Sequence, residues 1–207
     1  MSDAPPCPCI IRPIPPSSTH ALRHAVLWPS KPLDYVILAE DAEGWHFGAF
    51  LSRDSDALAS TGEGPGPRAV EEQGEQRELG ELEPVSVISC FLEPLLEDLT
   101  SPTVPLPTGR FRKFATSPSY QGQGLGTALL QHTLQFLTSP EAQGGKGVRR
   151  VWCDARWEKR GFYERFGMRA VRPQGEGEGP TFYKGDVPYV RMVLDVVDPE
   201  GLLWPQT

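Results

Sequence analysis

The residues that point first to chemistry are the glycines of QGQGLG: Gly122, Gly124 and Gly126, which open an apolar stretch of helical period. Glycine is a poor helix former, so three of them at a helix start call for a reason. The first N–H groups of a helix lack an intrahelical acceptor, and the helix dipole adds partial positive charge there. Residues without a Cβ let an anionic group approach those amides. The run therefore reads either as a seat for a pyrophosphate or as an ordinary glycine-rich turn. A Walker A loop is excluded, because no GK[ST] occurs. A dinucleotide fingerprint, GxGxxG, fails as well: counted from Gly122 and Gly124, its third position is Thr127. What remains is Q-x-x-G-x-G, made by Gln121, Gly124 and Gly126, with Pro118 upstream.

Such a turn needs a strand before it and a helix after it, and the chain supplies both. RFRKFAT at 110–116 reads as a strand with Phe111, Lys113 and Ala115 on one face. Leu129, Leu130, Leu134 and Leu137 give a helix over 124–137 an apolar stripe. Upstream, CIIRPIP at 9–15 is a first or edge strand. A helix follows, capped by Ser17 or Ser18, carrying Ala21, Leu22, Ala25 and Val26 and stopped by Pro29. Strands at 44–51 and 84–92 are placed to pair with each other, and LEPLLEDL after them suits one or two helical turns. Downstream come a strand at 148–155, a helix at 156–167 ending at Gly167, and two strands in MRAVRP and PYVRMVLDVV. The expectation is a single α/β domain: a mixed sheet of six to seven strands flanked by helices.

The 207 residues suit one core, with residues 1–9 and 196–207 read as tails. Segment 54–83 holds nine acidic residues against Arg68 and Arg77, a net −7 that equals the formal charge of the whole chain. It reads as an acidic insertion between two strands, and the remainder is balanced. No basic face suggests nucleic acid, and no run of about 18 apolar residues suggests a membrane span. Cys7, Cys9, Cys90 and Cys153 lack metal-ligand spacing. Cys90 and Cys153 read as buried thiols. Nothing resembles a signal peptide, so a reducing intracellular setting, cytoplasmic with a nuclear one left open, is the expectation.

TSPSYQGQGLGTALL resembles the acetyl-CoA-binding motif of the Gcn5-related N-acetyltransferases (GNAT). GFYERFGM, roughly 40 residues further on, resembles that family's FYEKLGF segment, and YVRMVL its last strand. The resemblance covers roughly 10–51 and 84–195. It implies the GNAT fold and an acetyl-CoA-dependent transferase, with strands 110–116 and 148–154 splayed around the cosubstrate. It implies further that the pyrophosphate meets the amides of Gln121, Gly122, Gln123, Gly124, Leu125, Gly126 and Thr127, and that pantetheine runs along Phe114, Ala115 and Thr116. A backbone N–H near Phe114 would polarise the thioester carbonyl. Tyr163 stands where the family's tyrosine acid stands, and a phenol is protonated near neutral pH. For a base the resemblance offers no glutamate on strand 110–116. Asp154 is the first candidate, His46 and Asp186 are alternatives, and a water chain is another. Arg156 and Lys159 replace the family's asparagine and small residue, so Arg156 is assigned to the cosubstrate or to an acidic substrate group. Trp28 and Trp45 are candidates for the acceptor wall. His20, His24 and His132 receive no role, and no metal is implied. The implied partners are acetyl-CoA and an amine, of a small molecule first and of a protein N-terminus or lysine second. A non-catalytic acyl-CoA-binding module and a homodimer stay open.

Overall fold

A computed structural model describes residues 9–51, 83–95, 107–172, 175 and 177–196. The acidic segment 54–83, apart from Glu83, lies outside the described residues. So do Cys7, the tails up to residue 8 and from 197, and positions 96–99 of the expected helical turns.

In chain order the elements are β1 (Cys9–Pro13), α1 (Ser17–Leu27), two 3-10 turns (Leu33–Val36 and Ala39–Glu43), β2 (Trp45–Leu51), β3 (Ser86–Leu92) and β4 (Thr108–Thr116). Then follow α2 (Leu125–Thr138), β5 (Arg150–Arg156), α3 (Arg160–Glu164), β6 (Arg169–Val171), β7 (Phe182–Lys184) and β8 (Val187–Asp195). They form one eight-stranded sheet in the order β1-β2-β3-β4-β5-β8-β6, with β7 also paired to β8. The strand beyond the six or seven expected is β7, which pairs Tyr183 with Pro188 in a short hairpin. β2 and β3 pair antiparallel, Trp45 opposite Cys90, as neighbours around the acidic segment should. β4 and β5 form a parallel pair, as a crossover through α2 requires.

The two faces of the sheet differ in chemistry. On one face, Leu129, Leu130 and Leu137 of α2 pack with Ile88, Cys90, Phe111, Val151, Cys153 and Met192 in a continuous apolar core. On the other face lies α1, whose buried residues are Thr19 and Arg23 rather than the expected alanine–leucine stripe. Its start differs too. Pro16 occupies the cap position and neither Ser17 nor Ser18 caps by side chain, because Ser17 is already the first helical residue. Arg23, fully buried, donates to Asp41 from Nη1 at 2.7 Å and from Nη2 at 3.0 Å, and to the Ser89 hydroxyl at 2.5 Å. A buried guanidinium is tolerated only with such partners, and this one fastens α1 to β3.

The helix expected at 156–167 is shorter, because β5 stays paired with β8 as far as Arg156 opposite Tyr189. A 3-10 turn at Trp157–Lys159 intervenes, and α3 then has only 5 residues. Among the described residues no helix is long and apolar enough to cross a membrane.

Candidate active site

β4 and β5 pair only at Thr108–Arg150, Gly109–Val151 and Arg110–Trp152, and beyond that point they separate. Three residues beyond Arg110, within the separated stretch, β4 carries an irregularity. Val87 faces Ala115 and Ser89 faces Arg112, so Lys113 and Phe114 together stand opposite Ile88. Lys113 has φ 56°, the one positive φ outside glycine among the described residues. A bulge of this kind bends its strand and redirects side chains, and non-glycine residues at positive φ concentrate at functional sites. The strands open into a cleft of about 1550 Å³.

One end of the cleft is the glycine run. Gly122 and Gly124 have φ 78° and 85°, left-handed values that favour glycine, and Gly124 stands at the N-cap of α2. Gln121 is fixed by its own side chain, whose Nε2 donates to the Thr116 carbonyl at 3.0 Å. Gln123 donates to the Ser119 carbonyl at 3.1 Å. The first helical backbone bond runs from the Ala128 amide to the Gly124 carbonyl, whereas the Gln121 amide already donates to the Pro118 carbonyl at 3.3 Å. The amides available to a ligand are therefore those from Gly122 to Thr127, and the expected contact from the Gln121 amide is not supported. A Cβ on Gly126 would stand 3.4 Å from both the Phe114 ring and Thr116 Oγ1, which keeps this turn close to β4. Gln121, Gly122, Gln123, Gly124, Gly126 and Thr127 line the cleft. The Leu125 side chain does not; it is 1% exposed and turned into the core, so only its amide is available.

The middle of the cleft is lined by Phe114, Ala115, Thr116, Cys153, Asp154, Arg156 and Tyr163. Tyr163 packs its ring on Phe111 and Phe162, with centroids 5.8 Å and 5.2 Å apart. Burial, reinforced by Cys153 and Tyr189, pushes its phenol well above the ordinary value, so it stays protonated. Cys153, beneath it, is likewise raised by burial and stays a thiol.

Asp154 enters the cleft but is not a free base. It accepts from Arg110 Nη2 at 2.9 Å, Lys184 Nζ at 3.0 Å and Arg191 Nε at 2.9 Å. Burial alone would raise its pKa, but the bonds from Arg191 and Lys184 outweigh it and hold the carboxyl below its ordinary value. His46 lies outside the cleft. It is 4% exposed, its Nδ1 is 2.7 Å from Ser89 Oγ and its Nε2 is 2.8 Å from the Asp41 carbonyl, which makes it part of the α1 anchor. Asp186 sits exposed in the β7–β8 turn and does not reach the cleft. Trp28 lines the cleft, whereas Trp45 packs on Phe136 and under Lys146. Cys90 is buried, as its strand pattern suggested.

Sequence reasoning missed the cations. Arg110, Arg112, Lys113 and Lys184 all line the cleft. Lys113 stands over the Trp28 ring at 4.0 Å, and burial, with help from Arg23, Arg112 and Lys184, brings its amine down to about 8.

A family model described as an acetyltransferase (GNAT) domain matches residues 87–169. The uncharacterized N-acetyltransferase YitI of Bacillus subtilis is 25% identical over 163 residues, 78% of this chain and 83% of that protein. Among solved structures, Arabidopsis thaliana NAA60 in complex with acetyl-CoA aligns with a TM-score of 0.56 at 14% identity, covering 91% of this chain and 98% of that one. Escherichia coli ElaA aligns with a TM-score of 0.51 at 16% identity, covering 89% and 98%.

Proposed function

We propose that this member of the Gcn5-related N-acetyltransferase family moves the acetyl group of acetyl-CoA onto the amine of a small molecule, by direct attack within a ternary complex. The observation that carries the reading is the coincidence of two features in one cleft: β4 parts from β5 just beyond Arg110, and the left-handed glycines bare the amides at the start of α2. A parted parallel pair leaves an unpaired strand edge on β4. An amide-bearing chain such as pantetheine can bind there as an added strand would, along Phe114, Ala115 and Thr116. The amides from Gly122 to Thr127 suit the pyrophosphate. Arg156, at the cleft end of β5, is assigned to the same cosubstrate.

Attack of a neutral amine on the thioester carbon forms the C–N bond and places negative charge on the carbonyl oxygen. A backbone N–H near Phe114 is assigned to stabilise that charge. The C–S bond then breaks, and the departing thiolate takes a proton. Tyr163, protonated and in the cleft, is assigned as the donor. Asp154 is assigned a positioning role, since its cation partners hold its charge. The acceptor amine sheds its proton to water. The small-molecule acceptor is favoured by a cleft whose lining includes Trp28 and Lys184. NAA60 has been solved with acetyl-CoA and with a bisubstrate analogue. Its likeness to this chain is one of fold and favours no particular acceptor.

Thiol release from acetyl-CoA in the presence of a panel of small amines and peptide amines tests the reading. Small amines should accelerate release. CoA binding without acceleration by any amine would reduce the protein to an acyl-CoA-binding module, and acceleration by peptides alone would move the acceptor to proteins.

A further inference from the structure

The sheet divides the cleft into two electrostatic halves. The glycine run belongs to the α2 face, where Gly126 meets Phe114 and Thr116. Along β4, Gly109 meets Leu137 of α2 and Phe111 lies in the same core, so Arg110 and Arg112 project to the opposite face, that of α1. Lys113 joins them there, over Trp28 at the end of α1. Asp154 lies on this face too, between the core residues Cys153 and Ala155, and draws Lys184 in from β7.

Of the groups lining the cleft on this face, Arg110, Arg112, Lys113 and Lys184 are cationic, and Asp154 is a carboxylate already paired to Arg110 and Lys184. Arg110 and Arg112 lean outward to Glu93 and Glu40. Lys113 has no ion pair within 4 Å and no hydrogen-bond acceptor among the described residues; its amine stands over the Trp28 ring, and Glu40 is the anion whose charge reaches it without pairing. The charged groups of the donor do not supply the missing anion, because their assigned seat is the glycine run on the other face. The part of the donor that reaches the parting strands is an uncharged thioester.

We propose that the acceptor is a small amine that also carries a carboxylate, and that Lys113, flanked by Arg112 and Lys184, holds that carboxylate while the amine faces the thioester. This rests on the acetyl-transfer reading. Lys113 loses part of its solvation in the cleft, and an arriving carboxylate restores a partner to it. The same positive surroundings disfavour an ammonium. They lower the pKa of the incoming amine and raise its nucleophilic fraction, which answers the lack of a free carboxylate base. Polycationic amines are repelled, so the site discriminates by repulsion as well as attraction.

The test compares matched acceptors at constant acetyl-CoA: L-phenylalanine against phenethylamine, L-lysine against cadaverine, with spermidine as the polycation. Thiol release should show kcat/KM higher for the carboxylate-bearing member by about tenfold or more, the scale of one charge-assisted hydrogen bond. The preference should vanish in Lys113→Met and persist in Lys113→Arg, with CoA affinity unchanged in both, so that a damaged fold is not mistaken for a lost contact. Equal or better turnover of the carboxylate-free amines, or a preference that survives Lys113→Met, overturns the inference and leaves acetyl transfer standing. Thiol release with none of the amines, while CoA still binds, removes the acetyl-transfer reading and this inference with it.

Discussion

Replacing Gly122 with alanine tests the donor seat through a quantity that the geometry bounds. Gly122 has φ 78°, and among the described residues no atom beyond its chain neighbours lies within 4 Å of where a Cβ would stand. Steric conflict with the rest of the chain is therefore removed from the problem, and what remains is the cost of an L-residue in the left-handed region, about 1–2 kcal/mol. That cost must be expressed somewhere. If the loop keeps its shape, the free protein unfolds with about 1–2 kcal/mol less free energy and binds CoA nearly as before. If the loop relaxes, the free protein loses little. CoA must then restore the shape, so its affinity falls roughly 5–30-fold, the equivalent of the same energy. A Cβ that meets the pyrophosphate adds to that second loss. Urea unfolding of the CoA-free variant and calorimetric titration with CoA measure the two terms, and their sum should reach at least the lower bound. Gly179→Ala is the control: it too has open space around its Cβ but no left-handed φ. Both terms unchanged in Gly122→Ala would refute the claim that the left-handed amide arrangement is the conformation that binds the donor.

Three further outcomes follow from the site and its support. Tyr163→Phe should lower kcat about a hundredfold, the low end of general-acid contributions, with CoA affinity retained; stopped assays with saturating acetyl-CoA read it, and unaltered turnover would remove Tyr163 from the mechanism. Asp41→Asn leaves the fully buried Arg23 without its carboxylate and should destabilise the fold by about 3–5 kcal/mol in urea unfolding. Stability should also fall on mild acidification. Burial lowers the His46 pKa from the ordinary 6.5, so the unfolded chain binds a proton that the folded chain resists, and the loss begins as pH drops below 6.5. His132, lowered for the same reason, adds to it. A His46→Gln variant should show a shallower dependence of unfolding free energy on pH between about 7 and 5.

The donor half of the site was legible because its physics is local. A strand, a glycine run with no phosphate-binding lysine and an apolar helix stand contiguous in sequence, and GFYERFG lies at the spacing that a strand and a short helix need. The acceptor half was not legible, because it depends on pairing. The apolar period of α1 points to Ala21, Leu22, Ala25 and Val26, and only the packing of α1 on Ser89 shows that the side of Arg23 faces inward. Asp154 reads as a lone acid at a strand end. Its three cation partners come from β4, β7 and β8, separated from it by 44, 30 and 37 residues. α3 was overestimated for a similar reason: strand pairing with β8 holds the backbone extended as far as Arg156, and local helix propensity does not register that competition.

Lys113 shows how one backbone irregularity organises both halves. An unbroken β4 would alternate strictly, and Lys113 would share the face of Phe111 and Ala115, in the apolar core beneath α2. Burying an ammonium there without a partner is costly. The bulge places two residues, Lys113 and Phe114, where β3 spends one. Lys113 is thereby diverted to Trp28 on the α1 face, while Phe114 and Thr116 close against Gly126 on the α2 face and Phe114 meets Phe162 there. The same extra residue adds bend to β4 three residues beyond Arg110, within the stretch where β4 and β5 are already unpaired. The added bend of β4, the hydrophobic support of the glycine turn and the cation on the acceptor side therefore have one cause. Removing it should disturb all three together: deleting Lys113 ought to weaken CoA binding and abolish acceptor selection in parallel, whereas Lys113→Met, which keeps the bulge, should abolish selection alone. CoA titration and the matched-acceptor assay on both variants separate these outcomes, and a Lys113 deletion that binds CoA as tightly as the parent would show that the bulge does not shape the donor seat.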